Sequence, residues 1–230
     1  MSKKTIDKIE KAILVLEDAK ADLLSSNLPQ PLAKKRIVVA VGHSRPGDFG
    51  ADCKHCDQGT TEYAWNLVIG EELRDLLVAM GAKVLLLTQY GDNVQGYMSY
   101  SQAMNWVADK SELFRADVAI ELHANSSVND ACGFETLITG STKSKILGSC
   151  LQEEMAGLFT TDPNRGVKER SRAQRGSGFL YRLAAPCAIV EPIFLSNKQS
   201  WNRWKNEREA IAHTYASGIR RYFEKVDLFS

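Results

Sequence analysis

The chain has 230 residues, 44% of them hydrophobic and 25% charged, enough to bury one substantial core and short for two full enzyme domains. Lys and Arg total 29 against 28 Asp and Glu, a formal charge of +1, so bulk electrostatics draws the protein to neither nucleic acid nor an anionic membrane. Five cysteines (Cys53, Cys56, Cys132, Cys150 and Cys187) are an odd number spread along the chain, a pattern of thiols made in a reducing compartment more than of a disulfide framework.

The N-terminus opens with lysines as a signal peptide does, but its longest apolar run, AILVL, has acidic residues on both sides. That is too short and too charged for a signal sequence or a membrane span, and implies synthesis in the cytoplasm with no stable membrane insertion. Ile6, Ile9, Ile13, Leu14, Leu16, Ala19 and Leu23 recur at helical spacing before SSNLPQPLAKKR. Residues 1–35 therefore read as an amphipathic helix and a Pro-containing linker, and 36–230 as the main domain.

Within that domain apolar strands alternate with amphipathic helices. IVVAV (37–41) precedes a helix from about Glu62 to Met80, closed by Gly81, and then VLLLT (84–88). A helix near Ser99 to Lys110 leads to the strands DVAIELHA and GFETLI, a helix across 143–159, the strand CAIVEPIF, and a last helix from about Trp201 to Phe223. This order predicts an α/β fold: a mainly parallel twisted sheet flanked by helices, with an N-terminal helical extension.

In such folds ligands gather at the carboxyl ends of the strands. His43 follows IVVAVG, Glu62 opens the helix after a long loop, His123 closes DVAIELH and Glu191 closes CAIVE. Groups competent for zinc chemistry thus fall at one predicted sheet edge. A local rival is Cys53 and Cys56, a C-x-x-C pair with His55 between them. A structural zinc needs four ligands, and no second close pair exists to complete that site, which leaves a disulfide or a plain loop pair as further readings.

These same residues carry a resemblance. VGHSRPGDFGA, Glu62 opening EYAWNLVIGEELRDLLVAMGAKVLLLT, then ADVAIELHANSS, GFETLI and RLAAPCAIVEPIFLSN resemble, in family order, the zinc-dependent N-acetylmuramoyl-L-alanine amidases of the Amidase_3 type, found among bacterial cell-wall hydrolases and phage endolysins. The resemblance runs from about Arg36 to about Phe223. It implies that His43, Glu62 and His123 bind Zn2+, that Glu191 is the catalytic carboxylate, that peptidoglycan is the substrate, and that CKHC is an insertion between two ligands. Two neutral imidazoles and one carboxylate suit that chemistry, because they leave zinc a net positive charge and an open position for water.

The sequence departs from the family pattern where a small Ser usually stands two residues before the second His. Here it is Glu121, which strand alternation sends to the same face as His123. Two roles are open to it: a partner that orients His123, or a group that retunes the site. SRPGDFG replaces a glycine-rich run, and Ile193 stands where a Gly is usual; both bear on the shape of the substrate groove. Arg165, Lys168, Arg170, Arg172, Arg175 and Arg182 cluster before the Glu191 strand. They read either as a solvated loop or as cations for the carboxylates of a stem peptide, with Arg182, nearest Glu191 in sequence, as the substrate-binding candidate. Trp201 and Trp204 read as packing residues.

Three functions compete: hydrolysis of the amide between the lactyl group of N-acetylmuramic acid and L-alanine; another zinc amidohydrolase or carboxypeptidase acting on a peptide-like substrate; and a non-catalytic peptidoglycan-binding regulator. The H-A-N and E-P-I-F-L-S-N blocks favour the first over the second, and retention of Glu191 argues against the third. Synthesis without a signal peptide fits a phage or prophage lysin released to the wall through a membrane lesion.

Overall fold

A computed structural model describes residues 30–48, 50–51, 60–91 and 98–228; the expected N-terminal helix and the CKHC run at 53–56 lie outside them. Six strands form one sheet: β1 (Arg36–Val41), β2 (Lys83–Leu87), β3 (Val118–Leu122), β4 (Phe134–Ile138), β5 (Asn164–Glu169) and β6 (Cys187–Glu191), in the order β2-β1-β3-β6-β4-β5. Neighbours run parallel except β4 and β6, whose antiparallel pairing is the one reversal. The helices are α1 (Glu62–Ala79), α2 (Tyr100–Phe114), α3 (Thr142–Leu158), α4 (Ser177–Arg182), α5 (Lys198–Trp204) and α6 (Arg208–Asp227). The expected mainly parallel α/β sheet is the fold observed.

The central strands β3 and β6 are buried along their whole length, which is why, apart from Glu121 and the terminal Glu191, they read as apolar runs rather than alternating ones. Alternate residues of each strand serve two cores. Ile37, Val39, Ile120 and Val190 face α1, α3 and α6, while Val38, Ala40, Ala119 and Ile189 face α2 and α4. On α1 the stripe Trp65, Ile69, Leu73 and Leu77 is buried, the spacing that lets one helix face cover a sheet. Leu32, at the end of the expected linker, is fully buried, and its N–H donates to the Met80 carbonyl at 3.0 Å. Trp201 and Trp204 are buried, as packing residues are. No helix of the described residues is long and apolar enough to cross a membrane.

Register sets the site. Val41 pairs with Leu122, and Leu122 with Val190, so the residues that follow on β1, β3 and β6 emerge level with one another. The ladder continues past the strands, with Gly42 N–H donating to the Leu122 carbonyl and His123 N–H to the Val190 carbonyl.

Three elements differ from the expected order, one of them the short helix α4 inside the segment expected as a cationic loop. NRGVKE, expected within a cationic loop, is the edge strand β5, half exposed and interrupted by Gly166 at φ 77°; an edge strand rich in charge carries little period-2 signal. The last helix is split into α5 and α6.

Close packing of α3 on β4 depends on Gly148, where an added Cβ would lie 2.6 Å from Ile138 Cγ2. Because that methyl sits on a stiff β-branched side chain, Gly148→Ala is expected to destabilise the protein by about 1–3 kcal/mol through overpacking. Urea unfolding checks this; metal binding at the far end of the sheet should be retained.

Candidate metal centre

Gly42 and His43 follow directly on β1. An added Cβ on Gly42 would lie 2.4 Å from His123 Cε1, so glycine is what lets the two strand ends close on each other. His43 takes a left-handed backbone, φ 61°, a conformation uncommon for residues other than Gly, though His is among those that adopt it more readily, and one frequent at functional sites. It turns the ring back over the sheet edge, edge-to-face with His123 at a centroid distance of 4.9 Å.

Glu62 reaches the same point from the first turn of α1, whose N-cap Thr61 accepts from Ala64 N–H. Its side chain is 1% exposed. Oε1 accepts from Ala124 N–H at 2.9 Å and lies 3.0 Å from His123 Nδ1. Oε2 accepts from Ala51 N–H at 2.9 Å and lies 3.3 Å from His43 Nε2. Each of His43, Glu62 and His123 offers one donor atom to a common point, and these atoms lie within 4.8 Å of one another.

Both rings are held from outside by carboxylates. His43 Nδ1 lies 2.9 Å from Asp48 Oδ1, and Asp48 also accepts from Arg45 at 2.8 Å. With the Nδ1 proton directed at Asp48, Nε2 is turned inward, where it is buried without a hydrogen-bond partner among the described residues. His123 Nε2 lies 3.3 Å from Glu121 Oε2, and Glu121 Oε1 accepts from the Tyr90 hydroxyl at 3.2 Å. With its proton toward Glu121, His123 keeps the Nδ1 lone pair beside Glu62. Converging lone pairs, a buried imidazole nitrogen lacking a partner and an outer carboxylate on each ring together fit a divalent metal ion.

The electrostatics agree with that fit. Burial would raise the Glu62 carboxyl, but contacts with His123 and His43 outweigh it and hold it below the ordinary carboxylate range. Burial would favour a neutral His123, yet Glu121 and then Glu62 push its pKa well above normal; His43 is raised more modestly, with burial opposed by Glu62. In protein alone the imidazoles answer the excess of carboxylate by taking up protons, a task a bound cation takes over.

Glu191, at the end of β6, is 3% exposed and accepts a hydrogen bond from Asn125 Nδ2. Burial raises its carboxyl above the usual range, partly offset by His123 and Arg175. Directly opposite on the antiparallel partner stands buried Glu135. Burial would raise that carboxyl too, but hydrogen bonds from Lys168 and Arg165 outweigh it and bring it below the ordinary range.

A cavity of about 350 Å³ opens over this edge, lined by His43, Asp48, Glu121, His123 and Glu191, with Tyr90, Tyr100 and Met104 as apolar wall and Arg175 among its lining residues. The structure therefore gathers His43, Glu62, His123 and Glu191, and sets Glu121 against His123. Arg182 is not among the lining residues; its guanidinium donates to Asn105 Oδ1 at 2.9 Å and Ser101 Oγ at 3.0 Å. Asp48, Asn125 and Tyr90 are participants the residue pattern did not single out. Asn125, inside the H-A-N block, carried a signal; Asp48 was one acid among several in a loop.

Asp48→Asn replaces an anionic acceptor with a neutral amide and is expected to weaken metal affinity by about 10- to 100-fold, read by competition with a chelating dye. Gly42→Ala should cost more metal affinity than Asp48→Asn, since its methyl cannot coexist with the His123 ring in this position.

Residues 37–221 match the model of the family described as N-acetylmuramoyl-L-alanine amidase. Among solved structures, the CwlD amidase from Clostridioides difficile, determined in complex with the GerS lipoprotein, is similar at 26% identity and TM-score 0.71, over 83% of this chain and 99% of that one. The catalytic domain of CwlV, an N-acetylmuramoyl-L-alanine amidase from Bacillus (Paenibacillus) polymyxa, shares the fold at 22% identity and TM-score 0.67, over 83% and 98%. YqiI from Bacillus subtilis, described as uncharacterized, is 24% identical over 203 residues, 85% of this chain and 88% of its own. With the family model covering nearly the whole sheet and the three residues His43, Glu62 and His123 that could hold a metal, the chain belongs to the N-acetylmuramoyl-L-alanine amidase family.

Proposed function

We propose that the protein hydrolyses the amide between the lactyl group of N-acetylmuramic acid and L-alanine in peptidoglycan, with Zn2+ held by His43, Glu62 and His123. The observation that carries this reading is a buried carboxylate, Glu191, in the wall of the same cavity as His43 and His123, the two imidazoles of the His, Glu, His cluster. Zinc bound there would supply an acidified water and a Lewis acid for the scissile carbonyl. The chain's own residues do the rest. Asp48 and Glu121 orient the two imidazoles, and the backbone N–H groups of Ala51 and Ala124 fix the Glu62 carboxylate.

Glu191 is the group that moves protons. An amine is a poor leaving group, so a base must take the proton of the attacking water and return it to the departing nitrogen. Burial raises the Glu191 carboxyl above the ordinary carboxylate range, which makes it a better proton acceptor than an exposed carboxylate. Asn125 donates to one carboxylate oxygen and holds the side chain in place.

Mass spectrometry of purified peptidoglycan after digestion tests the bond assignment. Free stem peptides beginning with L-alanine are expected; shortened peptides still attached to muramic acid would point to a carboxypeptidase. Glu191→Gln should keep stoichiometric zinc and the fold while turnover falls by about two or more orders of magnitude. Near wild-type digestion by that variant would move the proton transfer to another group.

A further inference from the structure

The cations that precede β6 have separate fates. Arg165 and Lys168 donate to Oε2 of Glu135, and Arg170 lies 3.9 Å from its other oxygen. Arg172 covers the Tyr181 ring at 4.6 Å, and Arg182 is held by Asn105 and Ser101 on α2. Arg175 is different. It is exposed, it lines the cavity over the metal cluster, and no hydrogen bond, ion pair or ring contact among the described residues engages its guanidinium. The other arginine of the wall, Arg45, is committed to Asp48 and to the Met98 carbonyl.

Arg175 is also held in position. Gly176, at φ 85°, turns the chain immediately after it, and an added Cβ there would meet Ile189 Cδ1 at 2.8 Å. That packs the turn against the strand that carries Glu191 two residues on. The cavity wall around the metal cluster carries Asp48, Glu121 and Glu191, so an anionic substrate group is disfavoured deep in the site and favoured where Arg175 stands. Holding an exposed, uncommitted guanidinium over an acidic cavity is of use when an incoming group brings the negative charge, and a planar carboxylate matches its paired donors.

We infer that Arg175 binds a carboxylate on the peptide that departs with the amine, and so makes the enzyme selective for acidic leaving peptides. The side of the substrate follows from the proposed function, on which this inference rests: Glu191 hands its proton to the leaving nitrogen, so a cation on the Glu191 side of the cavity faces the amine half. Arg175 is on that side, since the Gly176 turn that follows it packs on Ile189 of β6, and Arg175, Ile189 and Glu191 line the same cavity.

The test compares soluble disaccharide-peptides with free peptide carboxyls against the same compounds amidated with ammonia through carbodiimide coupling. Wild type, Arg175→Gln and Arg175→Lys are assayed on both at one ionic strength. Removing the guanidinium also alters the field at Glu191, but that change is common to both substrates, so the ratio of kcat/KM values isolates the contact. Wild type is expected to prefer the free acid by about 10- to 100-fold, Arg175→Gln to lose that preference, and Arg175→Lys to recover part of it. An equal fall on both substrates, leaving the ratio intact, would overturn the assignment of Arg175 while the amidase reading stands. Wild type that releases peptide from neither would overturn the amidase reading and the leaving-peptide contact with it.

Discussion

A carboxylate almost wholly removed from water is the constraint around which this protein is arranged. Glu62 survives as an anion because two backbone N–H groups donate to it and two imidazoles flank it; without such partners the group would neutralise or swing out to solvent. Those partners come from different parts of the chain: a loop at Ala51, the end of β3 at Ala124, and the rings that follow β1 and close β3. One side chain from the helix on one face of the sheet is thereby joined to groups aimed toward the other. The N-terminus of α1 is fixed by the same contacts, and the α1 stripe from Trp65 to Leu77 then has a defined place on the sheet.

Much of this frame was legible in the residues. β1, β3 and β6 announced themselves as apolar runs, and the rule that ligands gather at carboxyl ends of strands brought His43, His123 and Glu191 to one edge. The parallel register turns that expectation into proximity, because residues level across three strands cannot avoid one another. Glu121 was legible as well, since a strand sends alternate residues to the same face. Spacing does not reveal partners that come from loops. Asp48 became distinctive only when His43 took a left-handed turn that pointed Nδ1 back at it. Arg182 was nearest to Glu191 along the chain, but it belongs to α4 and reaches sideways to α2, whereas Arg175 precedes a glycine turn and ends at the cavity.

Two buried carboxylates face each other where β4 and β6 run antiparallel, Glu135 opposite Glu191. Like charges directly across a strand pair are destabilising, and the chain meets this by giving them unlike surroundings. Glu135 receives lysine and arginine and stays ionised, while Glu191 has, among the described residues, a side-chain amide as its donor and is pushed upward by burial. The negative charge on Glu135 adds to that upward push. Environments that separate two neighbouring carboxyls in this way are how one fold obtains an ionised structural acid beside a proton carrier.

β5, which supplies those cations, is the outer strand on its side of the sheet. An unpaired strand edge is a template on which a second chain can add and aggregation can begin. Arg165 and Lys168 project from this edge toward Glu135, and Gly166 breaks its regular extension. A second molecule docking here would have to desolvate both cations and match a backbone that does not run straight. Among the described residues, the charges that hold one carboxylate in its ionised form therefore also make edge-to-edge pairing with a second copy costly.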